Sequence, residues 1–275
     1  MSKMQNPFSD ACAQTRRVHV LKCALPPNPS AAMTPPLITS TLAPLGKLRA
    51  TINIGNPVLA GMATGVAEPH GVSVDIAREL ARRLDVPVEF VICATAAKAV
   101  EAVKAGACDL TFLAVDPTRA VDVDYAATYV VIAGAYMVKR DSALTDNEQV
   151  DRPGNRVAVG KGSAYDLFLT REIKHATLVR FNSSQEVVDG FMSQALEVAA
   201  GVKQQLEADA RRVPGLRLLP GQFMQIRQAI GAPKGREAAG EYLLAFIEEL
   251  KATGFVAEAL TRHGIEGAAV ATPGR

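Results

Sequence analysis

The stretch "AVKAGACDLTFLAVDPTRAVDVDYAATYV", residues 102–130, decides how this chain folds. Its opening closes a helical pattern at Gly106, a residue suited to the left-handed position beyond a helix end. "CDLTFLAV" (108–115) is then a near-continuous apolar run, the pattern of a strand covered on both faces in a parallel sheet. Arg119 follows at once, ahead of an aromatic-bearing run that reaches Tyr129. An arginine just past a buried strand either pairs with a structural carboxylate, here Asp122 or Asp124, or reaches into a cleft for an anionic ligand. The residues alone leave both open.

Upstream, "LRATINIG" (48–55) reads as a strand ending in a turn at Gly55, Asn56 and Pro57. In "GVSVDIARELARRLDVP" (71–87), Ile76, Ala77, Leu80, Ala81 and Leu84 share one helical face, with Arg78, Glu79, Arg82 and Arg83 opposite and Pro87 as the stop. "VPVEFVIC" (86–93) alternates as a strand, and "ATAAKAVEAVKAG" (94–106) is the next helix. Downstream, "YVVIAGAYMVK" (129–139) is a strand long enough to leave one domain and enter another. "RVAVGKGSAYDLFLTREI" (156–173) reads strand, glycine turn, helix. "ATLVRFN" (176–182) and "ALEVAAG" (195–201) are strands, and Ser183 with Glu186 forms a capping-box pattern for a helix between them. "VKQQLEADARR" (202–212) and two closing helices, 236–254 and 255–264, complete the pattern.

Strands and helices thus alternate in two runs, about 47–115 and 156–220, with further strands near 130–139 and 222–230. This predicts an α/β protein of two lobes, each a mostly parallel sheet flanked by helices, joined by a two-strand hinge at Ala135–Lys139 and Gln222–Ile226. The expected boundaries are a flexible N-terminal tail over 1–42, lobe 1 over 46–136 plus 227–270, and lobe 2 over 137–226. In open α/β sheets, ligands bind beyond the carboxyl ends of the strands.

Composition narrows the function classes. The chain has 275 residues, 48% hydrophobic and 21% charged, as expected of a soluble globular protein with a real core. Its 30 basic and 28 acidic residues are scattered, with no basic stripe for nucleic acid. No apolar run approaches the ~18 residues of a membrane helix. The four cysteines (Cys12, Cys23, Cys93, Cys108) and four histidines share no metal-type spacing, so neither a metal nor a cofactor is expected. Cys93 and Cys108 read as small buried residues on two strands. His19, Lys22 and the prolines at 26, 27 and 29 break the only candidate export-signal core. The expectation is a cytoplasmic monomer as written, or a periplasmic one if translation starts elsewhere, Met33 being one alternative start.

In order and separation, "GKLRATINIG" (46–55), "GVSVDIARELARRL" (71–84), residues 102–130 and "RVAVGKGSAYDLFL" (156–169) resemble the family-3 solute-binding proteins of amino-acid ABC transporters. That resemblance spans roughly 46–267 and implies the type II periplasmic-binding-protein fold. It implies that Arg119 takes a ligand carboxylate as a bidentate pair, a task suited to a planar, permanently charged fork. It also implies that the turn "GKGSAY" (160–165) grips the same group through Ser163, Ala164 and Tyr165 at a helix start. A plain strand-to-helix turn is the alternative there. Asn53, Asn56, Val58, Leu113 and Ala114 are the expected first-lobe contacts, and Gln225 a further neutral hydrogen-bonding group.

One departure bears on the ligand. Amino-acid binders of this family carry an Asp for the ligand's ammonium at a position that falls near Val202, and the chain has no carboxylate there until Glu207. A buried ammonium without a carboxylate is costly. The resemblance therefore implies a small carboxylate, such as a hydroxy, keto or cyclic acid, with Lys203 either adding positive charge or standing solvated. The expected role is a non-enzymatic binding protein, partnered by an ABC permease or a regulator. The alternatives are a cytoplasmic ligand sensor and a cyclohexadienyl dehydratase-like enzyme on the same scaffold, for which Glu68, His70, Asp116 and Asp166 are the candidate acids.

Overall fold

The computed structural model describes residues 36–63, 65 and 68–274. The tail reading for residues up to 35, the Met33 start, the broken signal core and Cys12 and Cys23 lie outside the described residues. The tail expectation fails at its end: Pro36–Leu42 form a helix (α1), begun by a proline whose fixed φ suits a first helical position. Leu42 is fully buried in the same apolar cluster as Leu243 and Ile247.

β1 (Leu48–Asn53) leads through a short antiparallel pair, β2 (Gly61–Met62) and β3 (Pro69–His70), to α2 (Val72–Leu84). Ile76, Leu80 and Leu84 are buried and contribute about 1.5–3 kcal/mol each. Asp85, in the left-handed conformation at φ 54°, ends α2 by donating to the carbonyls of Ala81 and Arg82, two residues before the expected stop at Pro87. β4 (Val88–Cys93), α3 (Ala96–Lys104) and β5 (Thr111–Ala114) follow. β4 and β5 flank β1 in parallel, the second through an Ala50–Leu110 bridge.

β6 (Val123–Lys139) is the long strand between the lobes. β7 (Arg156–Gly160), α4 (Ala164–Glu172), β8 (Thr177–Phe181), α5 (Val187–Ser193), β9 (Val198–Val202), α6 (Lys203–Arg212) and β10 (Leu216–Leu218) build the second lobe. β11 (Met224–Pro233) returns alongside β6, and α7 (Glu237–Ala252), α8 (Phe255–Arg262) and β12 (Ala269–Val270) close the chain.

The sheets are mixed, with a larger antiparallel share than the mostly parallel expectation. β8, β7 and β9 run parallel, while β6 is antiparallel to β9, β10, β11 and β12, and β11 is antiparallel to β5. β6 pairs with β11 up to Gly134, opposite Met224, and from Gly134 onward with β9, so it crosses from one lobe's sheet to the other's at that residue. A Cβ at Gly134 would stand 2.6 Å from Met224 Cγ, so glycine allows the close crossing.

The period-2 geometry of a strand explains the apolar runs. Ala135, Met137, Ala158 and Ala199 belong to one cluster of lobe 2, while the alternating Tyr136, Val138, Val157, Val159, Val198 and Ala200 belong to another. Both faces are covered, so no polar alternation is needed. In lobe 1 a charged knot ties the sheet to the terminal helices. The fully buried Asp109 accepts from Arg49 Nε and Nη2 and from Arg236 Nη2, each at 2.9 Å, and Arg236 also reaches the carbonyl of Thr41 at the end of α1. Burial alone would raise the Asp109 pKa; the hydrogen bonds from Arg49 and Arg236 outweigh it and hold it below the usual carboxylate value.

Candidate functional site

The chain turns at Asp116. Its carboxylate Oδ1 accepts from the Thr118 N–H at 2.8 Å, and its carbonyl accepts from the N–H groups of Arg119 (3.1 Å) and Ala120 (2.9 Å). Such side-chain-closed turns reverse direction tightly, and this one carries Arg119 back beneath the end of β5. Arg119 is only 3% exposed. Its Nη1 donates to the Ala114 carbonyl at 3.0 Å and its Nη2 to the Gly162 carbonyl at 2.9 Å, the second bond passing from lobe 1 to lobe 2. The Tyr125 hydroxyl donates to the same Ala114 carbonyl at 2.9 Å. Burial lowers the Arg119 pKa and pushes the Tyr125 hydroxyl up to about 12, but a guanidinium still keeps its charge.

The structural alternative for Arg119 is not what forms. Asp122 pairs with Lys104 at 3.1 Å and Asp124 pairs with Lys234. Asp116 pairs across the lobes with Arg171 at 2.9 Å. Among the described residues, no carboxylate stands within ion-pair distance of Arg119.

The turn 160–165 faces Arg119 from lobe 2. Gly162 takes the left-handed region at φ 70°, and a Cβ at Gly160 would meet the Tyr165 hydroxyl at 2.9 Å and the Ser184 backbone at 3.0 Å. Ser163 Oγ accepts from the Asp166 N–H at 3.1 Å and caps α4. The buried Asp166 accepts from the Gly162 N–H (2.8 Å) and from Arg180 Nε (2.9 Å), so its charge is taken up within lobe 2. Tyr165 is 2% exposed, its hydroxyl donating to Ser184 Oγ at 2.8 Å, and burial raises its pKa.

Between the lobes lies a cavity of about 50 Å³. At about 10–15 Å³ per water-sized occupant, it has room for a few such groups. Asn53, Asn56, Leu113, Ala114 and Arg119 line it from lobe 1, and Ser163, Ala164 and Tyr165 from lobe 2. Asn56 Oδ1 is buried without a hydrogen-bond partner. Two expected contacts lie elsewhere. Val58 is buried in the apolar cluster of lobe 1, and Lys203, at the start of α6, does not reach the cavity wall. Val202, where an ammonium-binding Asp was expected to be missing, lines the wall as an apolar residue. Gln225 is exposed; Gln228, 7% exposed, lines the cavity instead, because strand alternation puts Gln225 and Arg227 on the outer face of β11 and Ile226 and Gln228 on the cavity face.

Sequence reading also missed Lys161, Thr95, Ser183 and Ser184 on the wall. Ser183 matches a capping box with Glu186 in the sequence. In the structure α5 starts only at Val187, Glu186 makes no capping bond, and Ser183 Oγ donates to Glu186 Oε1 at 3.1 Å. None of the candidate acids lines the cavity. Glu68 pairs with Arg78 at 2.7 Å, His70 stands 6.3 Å from the ring of His263, and Asp116 and Asp166 are held by Arg171 and Arg180. Among the described residues, no cluster of His, Cys, Asp or Glu is arranged to hold a metal, and no helix is long and apolar enough to cross a membrane.

Comparison with known proteins places this geometry. Residues 55–265 match the family described as bacterial extracellular solute-binding proteins, family 3. No curated protein sequence matches at a significant level. Among solved structures, the chain is similar to the solute receptor for L-cysteine of Neisseria gonorrhoeae (24% identity, TM-score 0.72, covering 83% of this chain and 94% of that one). It is also similar to a mutant of ArgBP from T. maritima (19%, TM-score 0.71, 83% and 100%). A third similar structure is an ancestral amino-acid-binding protein, a precursor of cyclohexadienyl dehydratase (18%, TM-score 0.69, 82% and 97%). These identities speak for the fold alone, while the family match spans most of the chain. With its two-lobed α/β architecture and interlobe cavity, the chain belongs to family 3 of the bacterial extracellular solute-binding proteins.

Proposed function

We propose that the interlobe cavity binds a small carboxylate without an α-ammonium group, and that the protein serves transport or sensing as a solute-binding protein. The observation that carries this reading is the charge of the wall: Arg119 and Lys161 line it, and among the described residues no carboxylate does. A buried guanidinium whose partners are carbonyls and the neutral Tyr125 hydroxyl has an unmet Coulombic demand. A ligand carboxylate meets it with a bidentate geometry. An amino acid would bring an ammonium as well, and Val202 offers that group nothing. The N-terminus of α4, reached through Ser163, Ala164 and Tyr165, adds favourable partial charge for an anion.

A dehydratase-like reaction is the competing reading, prompted by the ancestral neighbour. It needs an acid beside the carboxylate-binding Arg, and the four candidate acids are engaged or distant. An assay for conversion of prephenate and arogenate decides that point, and turnover would displace the binding role. An ABC permease or a regulator would be the partner, and the periplasm the compartment in a transport role; fractionation of natively expressed protein tests the latter.

The direct test is thermal stability against two panels, standard amino acids and their deaminated hydroxy and keto acids. A ligand at 100 times its dissociation constant adds about 2.7 kcal/mol. Stabilisation by the deaminated acids, absent in Arg119→Ala, is the expected result. Stabilisation by amino acids alone overturns it.

A further inference from the structure

Resting on that carboxylate reading, we propose that the ligand is a small dicarboxylate, with Arg119 holding its inner carboxylate and Lys161 its outer one.

The argument is a local count of charge. Four side chains near the cavity neutralise each other in pairs: Asp116 with Arg171 at 2.9 Å, and Asp166 with Arg180 at 2.9 Å. On the wall itself two cations are left over, while the exposed carboxylate of Glu186 stands one hydrogen bond behind it, on Ser183. Arg119 is buried, donates to the carbonyls of Ala114 and Gly162, and has the Tyr125 hydroxyl beside it, with no carboxylate in ion-pair range among the described residues. Lys161 is exposed, and its ammonium has no partner among the described residues. Both line the same cavity, one at its floor and one where it meets solvent. A cleft walled by one sign of charge focuses its field on the opposite charge. A monoanion would gain from Arg119 alone, whereas a second carboxylate at the mouth would gain from the field of Lys161 as well.

The position of Lys161 is set by its backbone rather than by chance. Its N–H donates to the Phe181 carbonyl at 2.8 Å, which extends the β7–β8 ladder by one residue and holds the root of the side chain at the end of the strand. The wall between the two cations is uncharged and mixed, with Leu113, Val202 and Ile226 beside its polar groups. Gln228 lines it, and the buried Oδ1 of the half-buried Asn56 has no hydrogen-bond partner among the described residues. An unpaired buried acceptor costs free energy until a donor arrives, and a carboxylate supplies none, so among the dicarboxylates Asn56 favours one that carries a hydroxyl, such as malate. The cavity is small, which confines the skeleton to a short acid of about three or four carbons with its outer carboxylate at the mouth.

The test is calorimetric titration, at one ionic strength, with succinate, malate and malonate and with succinamate, which has the shape of succinate but one charge fewer. Lactate and pyruvate serve as monocarboxylate controls. The wild type is expected to bind at least one dicarboxylate about tenfold or more tightly than succinamate, the range of one charge-assisted hydrogen bond. Lys161→Gln is expected to bring succinate and succinamate to equal affinity. Its thermal midpoint without ligand should match the wild type, because the side chain has no partner to lose. The proposal is overturned if succinamate binds the wild type as well as succinate, or if K161Q leaves their ratio unchanged. Binding of lactate or pyruvate with no gain for dicarboxylates overturns it while sparing the carboxylate reading. No binding by any of these acids overturns both.

Discussion

Replacing Arg119 with Met separates a binding residue from a structural one, because the two roles predict opposite outcomes for stability. The substitution deletes two hydrogen bonds from a charged donor, to the carbonyls of Ala114 and Gly162. At about 1.5–3 kcal/mol each, their loss costs about 3–6 kcal/mol. It also removes a charge that is 97% buried with no carboxylate in ion-pair range, and the relief is several kcal/mol. Ala114's carbonyl keeps its bond from Tyr125, so only Gly162 loses its sole side-chain donor. The two sides nearly cancel, and the ligand-free protein is expected to change in unfolding free energy by less than about 2 kcal/mol. Binding of a carboxylate, by contrast, should fall by about 2–5 kcal/mol, or about 30- to 5,000-fold, as for truncation of one partner of a buried charge pair. Urea denaturation of the ligand-free protein and calorimetric titration with a carboxylate that binds the wild type read the two quantities. A loss of more than about 3 kcal/mol in stability with affinity intact would mean that Arg119 is a strut and that the reading of the cavity is wrong.

Asp109→Asn breaks the knot with Arg49 and Arg236 and is expected to cost about 3–5 kcal/mol in urea denaturation, since two arginines lose a buried partner. Because the folded Asp109 pKa is lowered, its contribution is complete above the unfolded value of about 3.9 and is lost as pH falls through the folded pKa. The wild type should therefore lose stability with acid more steeply than D109N; parallel curves would contradict this. At Gly55 an added Cβ would stand 2.5 Å from the Ala94 carbonyl, a backbone atom with little room to yield. Gly55→Ala should destabilise by about 1–3 kcal/mol and weaken binding as Asn53 and Asn56 shift, and unchanged values of both would refute the fit. Burial raises the pKa of Cys93 and pushes Cys108 up to about 12, so few thiolates exist at pH 8. Peptide mapping after iodoacetamide should find both unmodified in the native protein and both modified in urea; rapid native labelling would contradict their burial.

Much of the architecture was legible because it depends on local pattern. The face formed by Ile76, Leu80 and Leu84, the glycine turn before α4 and the double-sided apolar runs of β5, β7 and β9 follow from periodicity and glycine chemistry. Where non-local partners decide, the reading failed. Leu42 belongs to a helix because a core formed by α7 waits for it. Ser183 and Glu186 match a capping box, but α5 begins only at Val187 and the serines face the cleft. Ala269–Val270 become a strand only because β6 offers an open edge at Val130–Val131.

The same division runs through the site. Sequence alone determined that an arginine follows β5, that a glycine turn opens α4, and that no carboxylate stands near Val202, since these are identities and short spacings. Only the tertiary structure decided which charges are spent. Asp122, Asp124, Asp116 and Asp166 all had the chemistry to satisfy Arg119, and all four went to other cations. Lys161 looked like any turn lysine until both lobes placed it on the wall that Arg119 shares. Coulomb energy depends on distance and burial, not on separation along the chain, so the net charge of a cleft exists only once the chain is folded around it.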